Sequence, residues 1–152
     1  MTAEPFLALL APLMARHRLD GVLIGNAAAA LQGSPVTTMD LDFMFRKSPR
    51  SLAKLKRIAD ALGAAILRPY YPASDLYRLV RDRDGLQVDF MAHIDGIRSF
   101  EGLRARATSV EFGGSPLWVA DLADVIRSKE AADRPQDRAV LPILRRTLRE
   151  KR

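Results

Sequence analysis

The sequence predicts an α+β fold: a small mixed β-sheet flanked by helices, with a helical C-terminus. Three observations carry that prediction. Short apolar runs with strand-like alternation are interleaved with longer stretches of helical periodicity. Two pairs of runs are joined by Asp/Gly-rich or Gly-rich turns, which mark hairpins rather than helical crossovers. The segment from Asp121 onward reads almost entirely as helix. With 152 residues, no internal repeat and no linker-like stretch, the chain is expected to form a single domain over 1–152.

Taken in order, Phe6, Leu9, Leu10, Leu13 and His17 lie on one face of a first helix that ends around Arg16 to Leu19. Asp20-Gly21 makes a turn, and Val22 to Ile24 is a short apolar strand. Gly25 follows, where a missing side chain permits a tight turn or a close backbone approach. Ala27 to Leu31 is helical and ends at Gly33-Ser34-Pro35. In the next strand Leu41, Phe43 and Phe45 alternate with Asp40, Asp42 and Met44. Ser48 caps a helix whose first position is Pro49 and whose stripe is Leu52, Leu55, Ile58, Ala59 and Leu62, with Gly63 at its end.

Ala64 to Leu67 is a strand, and Pro69-Tyr70-Tyr71-Pro72 is a loop. Leu76 to Val80 and Leu86 to Met91 are strands joined through Asp82-Arg83-Asp84-Gly85. In the second of them Leu86, Val88 and Phe90 point one way, and Gln87, Asp89 and Met91 the other. Ile97 to Ala107 holds a short helix. Val110 to Phe112 and Leu117 to Val119 flank Gly113-Gly114-Ser115 as a second hairpin. Asp121 to Ala132 is a helix with Leu122, Val125 and Ile126 inward. Arg134-Pro135 interrupts it, and the last helix should kink or restart at Pro142.

Composition narrows the function classes. Hydrophobic residues make up 48% and charged residues 28%, an ordinary globular balance that excludes global disorder. The absence of cysteine excludes disulfides and thiolate metal sites and suits a reducing, cytoplasmic compartment. No Lys or Arg precedes the apolar run Phe6 to Leu13, so it reads as a packing helix rather than an export signal. No run is long enough to span a bilayer, which excludes a membrane partner of that kind. The net charge of +6 favours polyanionic partners such as nucleotides or RNA. Arg145, Arg146, Arg149, Lys151 and Arg152 concentrate that charge on the last helix, as a solvated face or an RNA-backbone contact.

Asp is disfavoured in strands, so Asp40 and Asp42 on one strand face need a cause, and from the pair alone a solvated strand end is the commoner one. Asp89 lies on a second strand whose other face is apolar. If the two strands pair, three carboxylates converge, and mutual repulsion raises their pKa values unless cations are present. Hard oxygen ligands suit Mg²⁺ or Mn²⁺, and a pair of such ions is suited to in-line phosphoryl or nucleotidyl transfer.

These residues, in this order, resemble a known family. Gly25-Asn26, the Ala-rich helix, Gly33, Thr38 and Asp40-Leu41-Asp42 resemble the opening motif of the polymerase-beta-like nucleotidyltransferase superfamily, and Asp89 falls where its third carboxylate stands. KEAADRPQD, Lys129 to Asp137, resembles the Lys…Arg-Pro-Lys-Asp segment of small bacterial abortive-infection and toxin–antitoxin members. The resemblance spans Val22 to Leu144 and implies a minimal nucleotidyltransferase fold. It also implies Mg²⁺-dependent transfer of a nucleoside monophosphate from an NTP to an acceptor such as tRNA, another RNA or a protein, with an antitoxin as partner.

Carried over by position, Asp40, Asp42 and Asp89 would hold metal. Gly25, Asn26 and Thr38 would approach the triphosphate, Lys129 would contact its phosphates, and Arg134 and Asp137 would support that region. The family usually has Gly or Ser where Asn26 stands, and often Arg where Val36 stands. Those two departures define the alternative: a catalytically inactive binding module of the same fold, acting as one half of a toxin–antitoxin complex.

Overall fold

The computed structural model describes residues 4–38 and 40–152. Its elements are α1 (Glu4–His17), β1 (Gly21–Ile24), α2 (Gly25–Leu31), β2 (Leu41–Phe45), α3 (Pro49–Leu62), β3 (Ala65–Leu67), β4 (Tyr77–Arg81), β5 (Leu86–Met91), α4 (Phe100–Arg106), β6 (Thr108–Phe112), β7 (Ser115–Val119), α5 (Leu122–Ala132) and α6 (Pro135–Lys151). All seven strands join one mixed sheet in the order β3-β4-β5-β2-β1-β7-β6. The predicted α+β class, with its mixed sheet and helical C-terminus, is what forms.

Two pairings place the chemistry. β2 lies parallel to β5 with Asp42 opposite Asp89 and Phe43 opposite Phe90. β4 lies antiparallel to β5 with Arg78 opposite Asp89. Side chains alternate across a strand, so Phe43, Phe45 and Phe90 fall on one face and the acids on the other. The Phe43 and Phe90 rings stack with centroids 5.1 Å apart, and Phe45 meets Phe90 edge-on at 5.7 Å. Met14 of α1 and the Phe43 ring both stand against Gly21, and α1 packs on α3 and β7. α2, α5 and α6 pack on one another at the opposite face.

Gln32, just past α2, ties two parts of that second layer together. Its amide donates to the Ala28 and Ala120 carbonyls at 3.0 and 2.7 Å, and its carbonyl accepts the Leu122 N–H at 3.1 Å.

The α3 boundaries follow the sequence signals. Ser48 Oγ accepts the Ser51 N–H, Pro49 starts the helix, and Gly63 ends it at φ 65°.

Three expectations change. The buried stripe of α1 is Leu7, Leu10, Ala11 and Met14, while Leu9 is 45% exposed. Both stripes are apolar, and contact with α3 and β7 selects between them. The short helix before β6 starts only at Phe100, capped by Ser99. Of the kink or restart expected at Pro142, the restart does not occur: α6 is one helix through it, with Leu141 and Leu144 buried on either side. Among the described residues, no helix is long and apolar enough to cross a membrane.

Candidate active site

One cavity of about 900 Å³ opens between the acid face of the sheet and helices α5 and α6. Gly25, Asn26, Thr38, Asp40, Asp42, Asp89, Lys129, Arg134 and Asp137 all line it. Residues more than a hundred positions apart in the chain therefore share one wall.

The cavity floor is the sheet. Asp42 is half-buried on β2, and Asp40 is exposed just before it. Thr38 closes the turn ahead of them, its Oγ1 accepting the Asp40 N–H at 3.0 Å. Among the described residues Asp42 has no hydrogen-bond or ion-pair partner in the structure. Burial first, then the charges of Asp89 and Asp40, push its carboxyl up to about 6; Lys129 and Arg78 offset this only in part. A carboxylate in that condition is stabilised by a cation.

Gly25 sits directly against it. The backbone turns there with φ +70°, and a Cβ at this position would stand 3.6 Å from Asp42 Oδ2. Gly25→Ala should therefore cost roughly 1–2 kcal/mol through backbone strain rather than a clash, and would place a methyl beside the carboxylate. A lowered thermal midpoint together with weakened Mn²⁺ binding is the expected result. Next to it, the Asn26 side-chain oxygen is buried with no hydrogen-bond partner among the described residues. A buried orphan carboxamide at a cavity wall suits a polar ligand, and its NH₂ end can serve a phosphate oxygen after rotation.

The roof comes from α5 and α6. Asp137 is fully buried and accepts from Arg134 twice through the guanidinium, at 2.7 and 3.1 Å, and once from its backbone N–H at 3.1 Å. Burial works to raise its pKa, but the Arg134 hydrogen bonds and the charges of Arg134 and Lys129 outweigh it and hold the carboxyl below its ordinary value. Lys129 Nζ lies 3.6 Å from Asp137. Burial holds the Lys129 pKa below the usual lysine value, with Asp137 and Asp42 pulling the other way. Asp137 thus anchors both cations at the start of α6.

The third acid has a partner of its own. Asp89 is 7% exposed and grips Arg78 in a bidentate pair, Nε–Oδ1 2.8 Å and Nη2–Oδ2 3.1 Å. Among the described residues, no three acidic or histidine side chains form a group arranged to hold a metal ion. The three carboxylates meet in one cavity, but the oxygens of Asp89 are turned to an arginine. Of these three acids, Asp40 and Asp42 make no side-chain ion pair among the described residues, and carboxylate oxygens of that kind suit a hard cation.

Sequence reasoning missed Arg78, Tyr70, Ser74, His93 and Asp95 as parts of this wall. Arg78 had a usable signal: the turn between β4 and β5 fixes the register that sets it opposite Asp89. The basic C-terminal residues stay outside the cavity, where Arg145 pairs with Glu130 and Arg146 with Glu150. Trp118 on β7 stacks under Arg104 at 3.5 Å.

No protein-family model matches the chain, and no curated protein matches it. Solved structures do. The lincosamide antibiotic adenylyltransferase LnuA, in its lincomycin-bound crystal structure, superposes with a TM-score of 0.66 at 13% identity, over 93% of this chain and 96% of that one. ANT(2″)-Ia, in complex with adenylyl-2″-tobramycin, gives 0.66 at 13% identity, over 97% and 90%. A putative nucleotidyltransferase from Thermotoga maritima gives 0.55 at 22% identity, over 96% and 94%. The chain has the nucleotidyltransferase fold, as the motif resemblance implied.

Proposed function

From that fold and the acid-floored cavity, we propose that the chain acts over 1–152 as a single-domain nucleotidyltransferase. It would move a nucleoside monophosphate from an NTP to an acceptor hydroxyl: the hydroxyl oxygen forms its bond to the α-phosphorus as the bond to the β-phosphate bridge breaks, pyrophosphate leaves, and the hydroxyl proton passes to solvent. The observation that carries this reading is Asp42: a half-buried carboxylate with a raised pKa and no partner among the described residues, beside Asp40 and under a glycine turn.

Asp40 and Asp42 would hold Mg²⁺ or Mn²⁺, which when bound supplies charge neutralisation at the reacting phosphate. The chain's own groups do the rest. The Gly25 turn lets the backbone approach the triphosphate, and Asn26 offers a buried amide to it. Lys129 adds a positive charge held in place by Asp137, and Arg134 fixes Asp137. Transfer of this type depends chiefly on positioning and charge.

The cavity volume of about 900 Å³ suits a nucleotide and a compact acceptor together. LnuA and ANT(2″)-Ia are described with lincomycin and tobramycin, and they are nearly spanned by this fold. A small hydroxylated acceptor therefore has the most support. In a toxin–antitoxin setting the acceptor would be tRNA, another RNA or a protein, with an antitoxin as partner, and the same assay separates those outcomes.

The assay supplies Mg²⁺ and each labelled NTP in turn, with lincosamides and aminoglycosides, total tRNA, or cell lysate. Label should leave the NTP for one acceptor fraction. Protease-sensitive or RNase-sensitive label would identify a protein or RNA acceptor. Tight Mg²⁺-dependent nucleotide binding without transfer to any fraction would favour the inactive binding module that Asn26 and Val36 suggest. Transfer that survives Asp40→Ala and Asp42→Ala would remove these residues from the reaction.

A further inference from the structure

Across the acid face of the sheet, one row of side chains reads Arg78, Asp89, Asp42. Arg78 stands opposite Asp89 in the β4–β5 ladder, and Asp42 stands opposite Asp89 in the β2–β5 ladder. Direct neighbours in a sheet lie about 5 Å apart on the same face. Two acids and one permanent cation therefore share a single line at the cavity floor.

Three observations show that the arginine is built in rather than draped over the surface. Both guanidinium contacts to Asp89 are charge-assisted and paired, the fork-to-fork geometry that gives the strongest arginine–carboxylate contacts. The pair is shielded, with side chains 20% and 9% exposed. The ring of Tyr70, from the loop before β4, lies against the guanidinium, its centroid 5.6 Å from the guanidinium carbon.

We infer that Arg78 is a fixed cation in place of a second divalent ion, so that this site works with one metal, held by Asp40 and Asp42, and not two. A two-ion site needs the third carboxylate free to bridge or bind. Here the oxygens of that carboxylate are already engaged, and the guanidinium repels any dication brought beside it. Arg78 is thus a positioning residue: it keeps Asp89 from the metal and leaves a monovalent charge at the same place. This inference rests on the nucleotidyltransferase reading, and the experiment below separates the two.

The wild-type chain is dialysed to equilibrium against Mn²⁺ and each α,β-methylene nucleoside triphosphate in turn. Protein-bound manganese is counted as the excess over the dialysate. Wild type should hold about one Mn²⁺ per chain, and Arg78→Met about two, because removing the guanidinium frees Asp89. Arg78→Gln is the second variant, with circular dichroism and a thermal melt to establish that each is folded. Two Mn²⁺ in wild type overturns the inference while leaving the transferase reading intact. One Mn²⁺ in wild type and in both folded variants overturns it too, since Arg78 would then not control the count. No metal-dependent retention of any analogue, in any chain, would sink the nucleotidyltransferase reading itself.

Discussion

Asp42→Asn is expected to lower the proposed nucleotidyl transfer by about 10³-fold or more, and yet to make the metal-free protein more stable at neutral and mildly alkaline pH. Both halves come from one placement. The carboxylate is half-buried beside Asp89 and Asp40, and its pKa is raised to about 6 from 3.8. The folded state therefore holds a proton that the unfolded state gives up earlier. Below the unfolded value both states are protonated and the substitution changes little. As the pH rises from about 4 to 6, wild type loses stability on the order of 2 kcal/mol, allowing for partial exposure, and Asn loses none. Above that window the difference is complete. It reads as a thermal midpoint several degrees higher for the variant. Mg²⁺ with NTP should then stabilise wild type and not the variant, so the order of the two melts reverses. A variant melting below wild type in chelator at pH 8 would contradict the placement of Asp42.

Asp137→Ala is the most damaging single substitution expected in the site. The carboxylate is fully buried and satisfies the Arg134 guanidinium, the Arg134 N–H and, at 3.6 Å, Lys129. Arg134, 58% exposed, returns to solvent, but Lys129, 11% exposed, is left buried without its partner and the Arg134 N–H loses its acceptor, at a cost of about 1–3 kcal/mol. Chemical denaturation should show the midpoint falling with its slope unchanged. A second effect concerns Lys129. Burial lowers its pKa and Asp137 is the largest influence raising it. In the variant the ammonium is lost at a lower pH, so nucleotide affinity should decay on the alkaline side earlier than in wild type. Asp137→Asn, which keeps the volume and part of the hydrogen bonding, should show the affinity change with a smaller stability loss.

The acids were legible in the sequence because strand alternation is a local property. Leu41, Phe43 and Phe45 force Asp40 and Asp42 onto the other face, and Val88 and Phe90 do the same for Asp89. That β2 and β5 are neighbours was only conditional, since parallel pairing between distant strands leaves no local mark. The side of α1 that packs inward was illegible for a different reason: Phe6, Leu9 and Leu13 and Leu7, Leu10 and Met14 make two apolar stripes, and only contact with the sheet layer separates them. Arg78 was overlooked because an arginine in a strand reads as a solvated residue until its cross-strand partner is known. Asp124 is a similar case, 1% exposed on α5 and held by Arg106 and Arg127 from two elements. Buried charge is a property of partners, and partners belong to the tertiary fold.

The sheet order also has a kinetic consequence. β1 finds β7, and β2 finds β5, only after about fifty to a hundred intervening residues have been looped out, which makes these pairings slow and late relative to the β4–β5 hairpin. Asp42 and Asp89 are thus brought side by side near the end of the folding reaction. A barrier crossed before the two carboxylates meet would leave their repulsion to the native state alone. Relieving it with Asp42→Asn should leave the refolding limb of the chevron in place and slow the unfolding limb. The acids that equip the cavity would then set how long the metal-free protein stays folded, and not how fast it gets there.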